Sequence, residues 1–174
     1  MTRVVAGIAV FALGLAFAAL ATATPAKDSY KLNANLKARF EVPKPQGVRV
    51  GASGAFTATA VELSNDKAKL SWRLTFSRLS GRAIAAHIHV GRVGKSGAVL
   101  VALCGPCTSG QRGTARITHA QLRTIRAGRS YVNLHTPKNP AGEIRGQVKS
   151  SGTSSSDDSG TDTTTTTSEP PPYP

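Results

Sequence analysis

The sequence is poor in aromatic residues and in cysteine. Aromatic side chains make up 5% of the 174 residues, with a single Trp, so a hydrophobic core has to be built from Val, Ile, Leu and Ala. Two Cys are too few for a disulfide-dense scaffold. Ten Pro and 17 Gly argue against a helical bundle. The length allows one domain with terminal extensions rather than two full-sized domains.

Signatures of several enzyme classes are missing as well. The chain has no Gly-x-Ser-x-Gly motif, no pair of carboxylates in a catalytic arrangement and no Walker loop. The glycines of residues 91–97 follow a predicted strand and do not open a helix, which indicates a loop rather than a phosphate-binding turn. The sequence therefore predicts a protein that is not an enzyme.

Acidic residues are scarce, since 22 Lys and Arg stand against 9 Asp and Glu, for a net charge of +13. Residues 27–149 contain 21 basic and 5 acidic residues, or +16, whereas residues 150–174 contain four acidic residues and no basic one. The positive charge thus belongs to the central part of the chain. It predicts either a solvated basic surface or a surface that binds anionic polymers or lipid head groups.

Residues 1–26 have the pattern of a secretory signal peptide. Arg3 precedes an apolar run of 18 residues, and small residues allow cleavage after Ala23 or Ala26. An uncleaved membrane anchor is the alternative, because 18 residues are just enough to span a bilayer. We expect the protein to be secreted or held in the cell envelope. Nucleic acid is then not expected as a partner, and membrane contact is expected only through an uncleaved signal.

Residues 150–174 have the composition of a disordered tail. Fourteen of these 25 residues are Ser or Thr, and Tyr173 supplies the apolar surface. Such a segment buries too little surface to offset the entropy of ordering it. The sequence therefore predicts a folded domain at residues 27–149, followed by a hydrated spacer or glycosylated stalk.

The domain shows the alternation of β-strands. Residues 67–76 alternate strictly between apolar and polar, and the turn at 64–66 makes residues 55–62 the hairpin partner. Residues 36–42 alternate in the same way and predict an earlier strand. The continuous apolar run at 98–103 predicts a strand covered on both faces. Shorter strands follow, and their spacing is typical of an antiparallel β-sandwich.

One short helix interrupts the strands. Thr118 and Gln121 have the spacing of a capping box, and Leu122 and Ile125 form a short apolar stripe. Gly128 then occupies the position where helices commonly end in a left-handed residue. These signals predict about two helical turns.

Two segments of the domain resemble a known family. AHIHVGRVGKSG at residues 86–97 and SYVNLHTPKNPAGEIRGQV at 130–148 are similar to the CHRD domain, first described in chordin and found alone in many bacterial secreted proteins. The resemblance covers residues 30–149. It implies an extracellular β-sandwich of immunoglobulin-like or superoxide-dismutase-like form. Chordin sequesters bone morphogenetic proteins, but the cysteine-rich modules of chordin are missing here, so that role is not carried over.

The histidines are the strongest chemical signal. His87 and His89 are two residues apart on a predicted strand and therefore share a face, and His135 lies on another strand near Asn133. Three imidazoles from two strands are a suitable donor set for Zn²⁺ or Cu²⁺. Copper/zinc superoxide dismutase uses a His-x-His pair in a similar way, although its other ligands have no clear counterpart here.

A structural interpretation of the same histidines stays open. They could form a hydrogen-bonded polar cluster with Asn133, joined from another strand by Glu143, Arg145 and Gln147. A carboxylate near two histidines can also orient metal ligands, so these residues serve both interpretations.

The two cysteines stand in the sequence Cys104-Gly105-Pro106-Cys107, which is also that of the thioredoxin redox centre. That chemistry needs a helix whose N-terminus holds the first Cys as a thiolate, and residues 108–113 are loop sequence. In an exported protein we predict a disulfide between Cys104 and Cys107 that pins the loop.

Together these patterns predict a secreted, non-enzymatic binding or structural module. An extracellular protein or an anionic polymer is the expected partner, with Lys69 and Arg73 on the basic face. The alternative is a metal-binding β-sandwich that holds Zn²⁺ or Cu²⁺ through His87, His89 and His135.

Overall fold

The structure, a computed structural model, describes residues 27–63 and 66–153. The predicted signal peptide, residues 1–26, and residues 154–174 of the predicted tail lie outside the described residues. The described strands are β1 (Ser29–Lys37), β2 (Ser53–Glu62), β3 (Lys67–Ser77), β4 (Ala85–Val90), β5 (Val99–Cys104), β6 (Arg112–Thr118), β7 (Ser130–His135), β8 (Ile144–Gln147) and β9 (Lys149–Thr153). A 3-10 turn, Ala38–Phe40, follows β1, and helix α1, His119–Arg126, follows β6.

The nine strands form one antiparallel sheet. Their order is β5-β4-β7-β8-β1-β2-β3-β6, and β9 pairs with β1 beside β8. The two ends of this order, β5 and β6, contact each other without a described ladder between them, so the sheet nearly closes around a shared core. The predicted all-β, antiparallel fold with one short helix is confirmed.

The predicted hairpin is confirmed as β2 and β3. Phe56 lies opposite Leu74, and both side chains are fully buried. Trp72 extends this buried face towards β6, where the residue beside it is Gly113. A side chain at Gly113 would collide with the indole ring, so this close approach requires glycine.

Strand β1 differs from its prediction. It begins at Ser29 and ends at Lys37, and the chain then turns through the 3-10 segment. Phe40 and Val42, which the alternation placed in the core, are 42% and 37% exposed. Strand pairing has already ended at Lys37, and Pro43, which has no N–H to donate, follows outside the strand. The buried alternation lies upstream, from Tyr30 to Leu36.

Strand β5 also differs from its prediction. Its apolar run suggested cover on both faces, but Val99 is 53% exposed, and Val101 is its one buried residue. The reason is its position, because β5 is an edge strand that pairs with β4 alone. Hydrophobicity does not distinguish an edge strand from a central one.

The ordered chain extends beyond the predicted domain boundary at residue 149. Residues 150–153 belong to β9 and pair with β1, with Ser151 opposite Lys31. Main-chain hydrogen bonds hold this strand, and these require no apolar side chains. Composition therefore did not indicate that residues 150–153 form a strand.

The capping box predicted for α1 is confirmed. The N–H of Gln121 donates to Thr118 Oγ1 (3.1 Å), and the N–H of Thr118 donates to Gln121 Oε1 (2.8 Å). Leu122 and Ile125 are buried, and Gly128 has a φ of +65°. Within the described residues, no helix is long and apolar enough to cross a membrane.

We expect Thr118→Ala to lower the free energy of unfolding by about 1 kcal/mol, because one helical N–H loses its acceptor. Thr118→Ser keeps the hydroxyl and should retain most of the stability. Urea denaturation of both variants measures the difference. Equal losses in the two variants would show that the methyl group, rather than the cap, matters.

Candidate metal centre

The three histidines of the candidate site lie on two paired strands. Strands β4 and β7 are antiparallel, with His87 directly opposite Asn133. His89 and His135 each lie two residues from this pair, so all four side chains project from one face. Ile88 projects to the other face and is fully buried in the core. The hydrophobic core thus fixes the strands that present the imidazoles.

The imidazole nitrogens converge. His87 Nδ1 lies 3.1 Å from His135 Nε2, and one nitrogen from each of His87, His89 and His135 lies within 4.8 Å of the others. Two imidazole nitrogens bound to one tetrahedral Zn²⁺ are about 3.3 Å apart. The His87–His135 pair already has this spacing. Closing the widest separation requires side-chain shifts of roughly 1 Å.

Two backbone carbonyls determine which nitrogens carry lone pairs. Nδ1 of His89 donates to the carbonyl oxygen of Gly97 (3.0 Å), and Nδ1 of His135 donates to that of Pro140 (2.9 Å). A carbonyl can only accept, so each proton is on Nδ1 and each lone pair is on Nε2. Nε2 of His89 is buried and has no hydrogen-bond partner.

His87 completes the arrangement and differs from the other two. Because His135 Nε2 carries a lone pair, His87 Nδ1 is the donor in the hydrogen bond between them. A metal ion bound at His87 Nδ1 would require this proton to move to Nε2 of the same ring. His87 is half-buried, so the site is also open to solvent on this side.

Burial favours the neutral form of His87 and of His135. Desolvation lowers the pKa of His87, and charge on His135 or His89 lowers it further. Desolvation is also the largest cause of the lowered pKa of His135, and the hydrogen bond to Pro140 only partly opposes it. The neutral ring is the form that binds a metal ion, so burial favours the ligand state.

Tyr131 and Arg145 support His89 from behind. The ring of Tyr131 stacks on His89 with centroids 5.1 Å apart and planes inclined by 8°. The guanidinium carbon of Arg145 lies 3.3 Å from the Tyr131 ring centroid, in a cation–π contact. Gly97, whose carbonyl holds His89, also donates its N–H to the Tyr131 hydroxyl (3.3 Å). The ring of His89 is therefore held by the stacked ring of Tyr131 and by the loop that contains Gly97.

Glu143 does not join the imidazoles. Its carboxylate accepts hydrogen bonds from the N–H of Ser80 (2.6 Å) and from Thr136 Oγ1 (2.6 Å). Burial raises the pKa of Glu143, but hydrogen bonds from Ser80, Thr136 and Asn139 outweigh it and hold the pKa below its ordinary value. Glu143 precedes β8, and its carboxylate points into the turn after β7. Its hydrogen bonds therefore stabilise that turn.

Two other predicted members of the cluster, Gln147 and Asn133, donate hydrogen bonds to backbone carbonyls rather than to the imidazoles. Gln147 Nε2 donates to the carbonyls of Gly91 (2.8 Å) and Gly128 (2.9 Å). Asn133 Nδ2 donates to the carbonyl of Ala141 (3.4 Å). Strand β8 is separated from β4 by β7, so its side chains reach the flanking loops rather than the histidines. The imidazoles are oriented by carbonyls, not by a carboxylate.

Glu41 is a chemically unusual residue that no sequence pattern indicates. It is 2% exposed, and burial raises its pKa to about 7, although Arg145 and hydrogen bonds to Val42 and Asn133 oppose the shift. Gly142, at φ +133°, makes room for it, because a Cβ there would lie 2.5 Å from Glu41 Oε1. The alternation of residues 36–42 placed Glu41 on an exposed face, and the 3-10 turn brings it inward.

The two cysteines form a disulfide with their Cα atoms 5.3 Å apart, so neither is free. Cys104 ends β5, which pairs with the histidine-bearing strand β4. The bridge therefore closes the turn after the edge strand beside the site.

Comparisons with known proteins place the chain in a family. No curated protein and no solved structure matches it. The sequence model of the CHRD domain matches residues 32–148, which is more than half of the chain. The matched segment runs from within β1 to the end of β8 and contains all three histidines of the candidate site. The chain therefore belongs to the CHRD domain family.

Proposed function

We propose that this CHRD domain is a metal-binding module that holds Zn²⁺ or Cu²⁺ through His87, His89 and His135. The observation that carries the proposal is the buried, unpartnered Nε2 of His89, whose neighbours are two further imidazoles. A buried acceptor without a partner costs about 1–3 kcal/mol. A metal ion among the three rings removes that cost.

The donor set selects the class of metal. Neutral imidazoles suit Zn²⁺ and Cu²⁺, whereas Mg²⁺ and Ca²⁺ require oxygen ligands. The hydrogen bonds from Nδ1 of His89 and His135 orient their rings as outer-shell bonds do in metal sites. No carboxylate is among the described hydrogen-bond partners of the three rings. We propose metal binding and no catalytic step.

The domain acts outside the cytoplasm, in the extracellular space or the cell envelope. Three observations support this location. Residues 1–26 carry the pattern of an export signal. CHRD domains are typically extracellular. The Cys104–Cys107 disulfide suits an oxidising compartment.

Metal titration of the full-length chain, purified without a histidine tag and stripped with a chelator, tests the proposal. Isothermal titration with Zn²⁺ or Cu²⁺ should show one ion per chain. His87→Ala/His89→Ala should weaken binding by more than about 100-fold, because even loss of an outer-shell partner costs 10- to 100-fold. Two of the three ligands are gone in this variant.

His119→Ala is the matched control. His119 lies on α1, where its Nε2 donates to the carbonyl of Lys67 (3.0 Å), and it is separate from the cluster. This variant should bind as tightly as the parent. If the parent and the double variant take up equal amounts of metal, the three histidines are a structural hydrogen-bonded cluster and the proposal is wrong.

A further inference from the structure

Two depressions on the outer face of the sheet join into one groove. The first has a volume of about 990 Å³ and lies beside the 3-10 turn, over β1 and β2. The second has a volume of about 770 Å³ and lies across β1, β2, β3 and β6. Asn33 is exposed and lines both, so the two are continuous. None of the three site histidines lines either one.

The groove is strongly cationic. Its lining contains eight basic residues, seven of them at least partly exposed and one, Arg145, buried, together with a single acidic residue, the buried Glu41. None of the seven takes part in an ion pair within the described residues. We call these seven residues the cationic track: Lys31, Lys37, Arg39, Lys44, Arg73, Arg112 and Lys149.

Cross-strand pairing places like charges side by side. Arg73 of β3 lies directly opposite Arg112 of β6, and Lys69 lies directly opposite Arg116 in the same ladder. All four side chains are exposed on the outer face. Directly opposed like charges destabilise a sheet. An anionic partner along this face would be attracted by both cations of each pair and would offset their repulsion. Sequence features that locally destabilise a fold are typical of functional sites.

Neutral polar side chains alternate with the cations. The lining includes amides and hydroxyls at outward positions of β1, β2, β3 and β6: Asn33, Asn35, Thr57, Thr59, Ser71 and Thr114. Such groups hydrogen-bond to sugar hydroxyls. Phe40 is the one exposed aromatic residue of the lining, whereas single-stranded nucleic acid needs repeated aromatic platforms. The exposed apolar residues Phe40, Val42 and Val93 lie only in the first depression. Membrane insertion would need a continuous exposed apolar face, and the outward positions of the strands do not offer one.

We infer that the cationic track is a binding surface for a linear acidic polysaccharide whose carboxylate or sulfate groups lie along the seven basic residues. The four strands of the second depression span about 14 Å at roughly 4.8 Å per step. The first depression extends the surface further, so several charged groups of one polymer are in contact at once. None of the seven residues of the cationic track is a ligand of the proposed metal centre, although the buried Arg145 lies next to both sites.

Fluorescence anisotropy with labelled heparin and labelled alginate tests this surface and separates sulfate from carboxylate recognition. With the full-length chain, the affinity for at least one of them should fall by tenfold or more between about 50 and 200 mM salt, because several counterions are released. A flat salt response would contradict the inference. Tighter binding of oligo-dT or of phosphatidylserine vesicles than of either polysaccharide would also contradict it.

Arg112→Glu distinguishes binding from folding. A carboxylate opposite Arg73 replaces repulsion with attraction, so the urea midpoint should rise or stay unchanged. In about 0.15 M salt, where charges beyond roughly 8 Å are screened, polysaccharide affinity should fall by about tenfold. Arg82→Glu makes the same change of charge at an exposed residue outside the groove and should alter affinity less than about twofold. Equal losses in both variants would mean that net charge alone drives binding and would overturn the inference.

Discussion

Replacing Arg145 with alanine should lower the free energy of unfolding by about 3 kcal/mol and weaken metal binding at the same time. Arg145 is 2% exposed, and its Nη2 donates to the carbonyls of Arg92 (3.0 Å) and Lys95 (2.8 Å). Alanine would leave both carbonyls without this donor and would remove the cation from the Tyr131 ring. Hydrogen bonds from a charged donor contribute about 1.5–3 kcal/mol each, and relief of the buried charge offsets part of the loss.

The effect on metal binding follows from the loop that Arg145 holds. Arg92 and Lys95 belong to the segment that leads to Gly97, and the carbonyl of Gly97 fixes the tautomer of His89. Once this loop is free, Nδ1 of His89 loses its acceptor, and the lone pair is no longer confined to Nε2. A loss of roughly 10- to 100-fold in metal affinity is expected from a change in outer-shell support.

Urea denaturation and metal titration of Arg145→Ala check both effects. Arg145→Lys keeps the positive charge but lacks the planar guanidinium group with its several donors. Its stability and its metal affinity should therefore lie between those of the parent and those of the alanine variant. Arg129→Ala removes an exposed arginine and should leave both quantities within about 0.5 kcal/mol of the parent. If the Arg145→Ala variant is destabilised but binds metal as tightly as the parent, the loop that Arg145 holds does not support the metal ligands.

Glu41→Gln should abolish a loss of stability that the parent shows as the pH rises. Burial raises the pKa of Glu41 from 4.5 to about 7 in the folded protein. Between these two pH values the folded chain binds more protons than the unfolded chain, so the free energy of unfolding falls as the pH increases. The full loss, reached above pH 7, is about 3 kcal/mol. Glutamine has nearly the same shape and no charge, so it avoids this loss.

Denaturation of parent and variant at several pH values between about 5 and 8 measures this difference. The two proteins should be about equally stable at pH 5, and the variant should be the more stable at pH 8. The histidines titrate in the same range, but their contribution cancels in the difference. Glu143→Gln is the control of opposite sign, because hydrogen bonds hold the pKa of Glu143 below its ordinary value. It should be less stable than the parent at neutral pH, and a stabilised Glu143→Gln would contradict this assignment.

Local patterns predicted the elements whose signals lie within a few residues. The strict alternation at 67–76 identifies β3, and the Thr118–Gln121 spacing identifies the start of α1. His87 and His89 share a face because a strand has a period of two. The same alternation at residues 36–42 was misleading, because β1 ends at Lys37 and the chain then turns through Ala38–Phe40.

Partners distant in sequence were not predictable in this way. Glu41 and Arg145 influence each other across 104 positions, and nothing near Glu41 in the sequence indicates burial. Glu143 has the spacing of a residue that orients histidines, yet Ser80 and Thr136 engage its carboxylate. Hydrogen bonds go to whichever donors the packed loops bring close, and that depends on the order of the strands.

The sequence by itself determined an all-β chain with one short helix, a basic central domain and three histidines on two strands. These features follow from periodicity, capping and composition, which act over neighbouring residues. Only the tertiary structure decided that one nitrogen of each ring lies within 4.8 Å of the others, that carbonyls set the tautomers of His89 and His135, and that two depressions join at Asn33. These depend on which strands pair and on which loops cover them, because burial and hydrogen-bond partners are properties of the whole packed sheet.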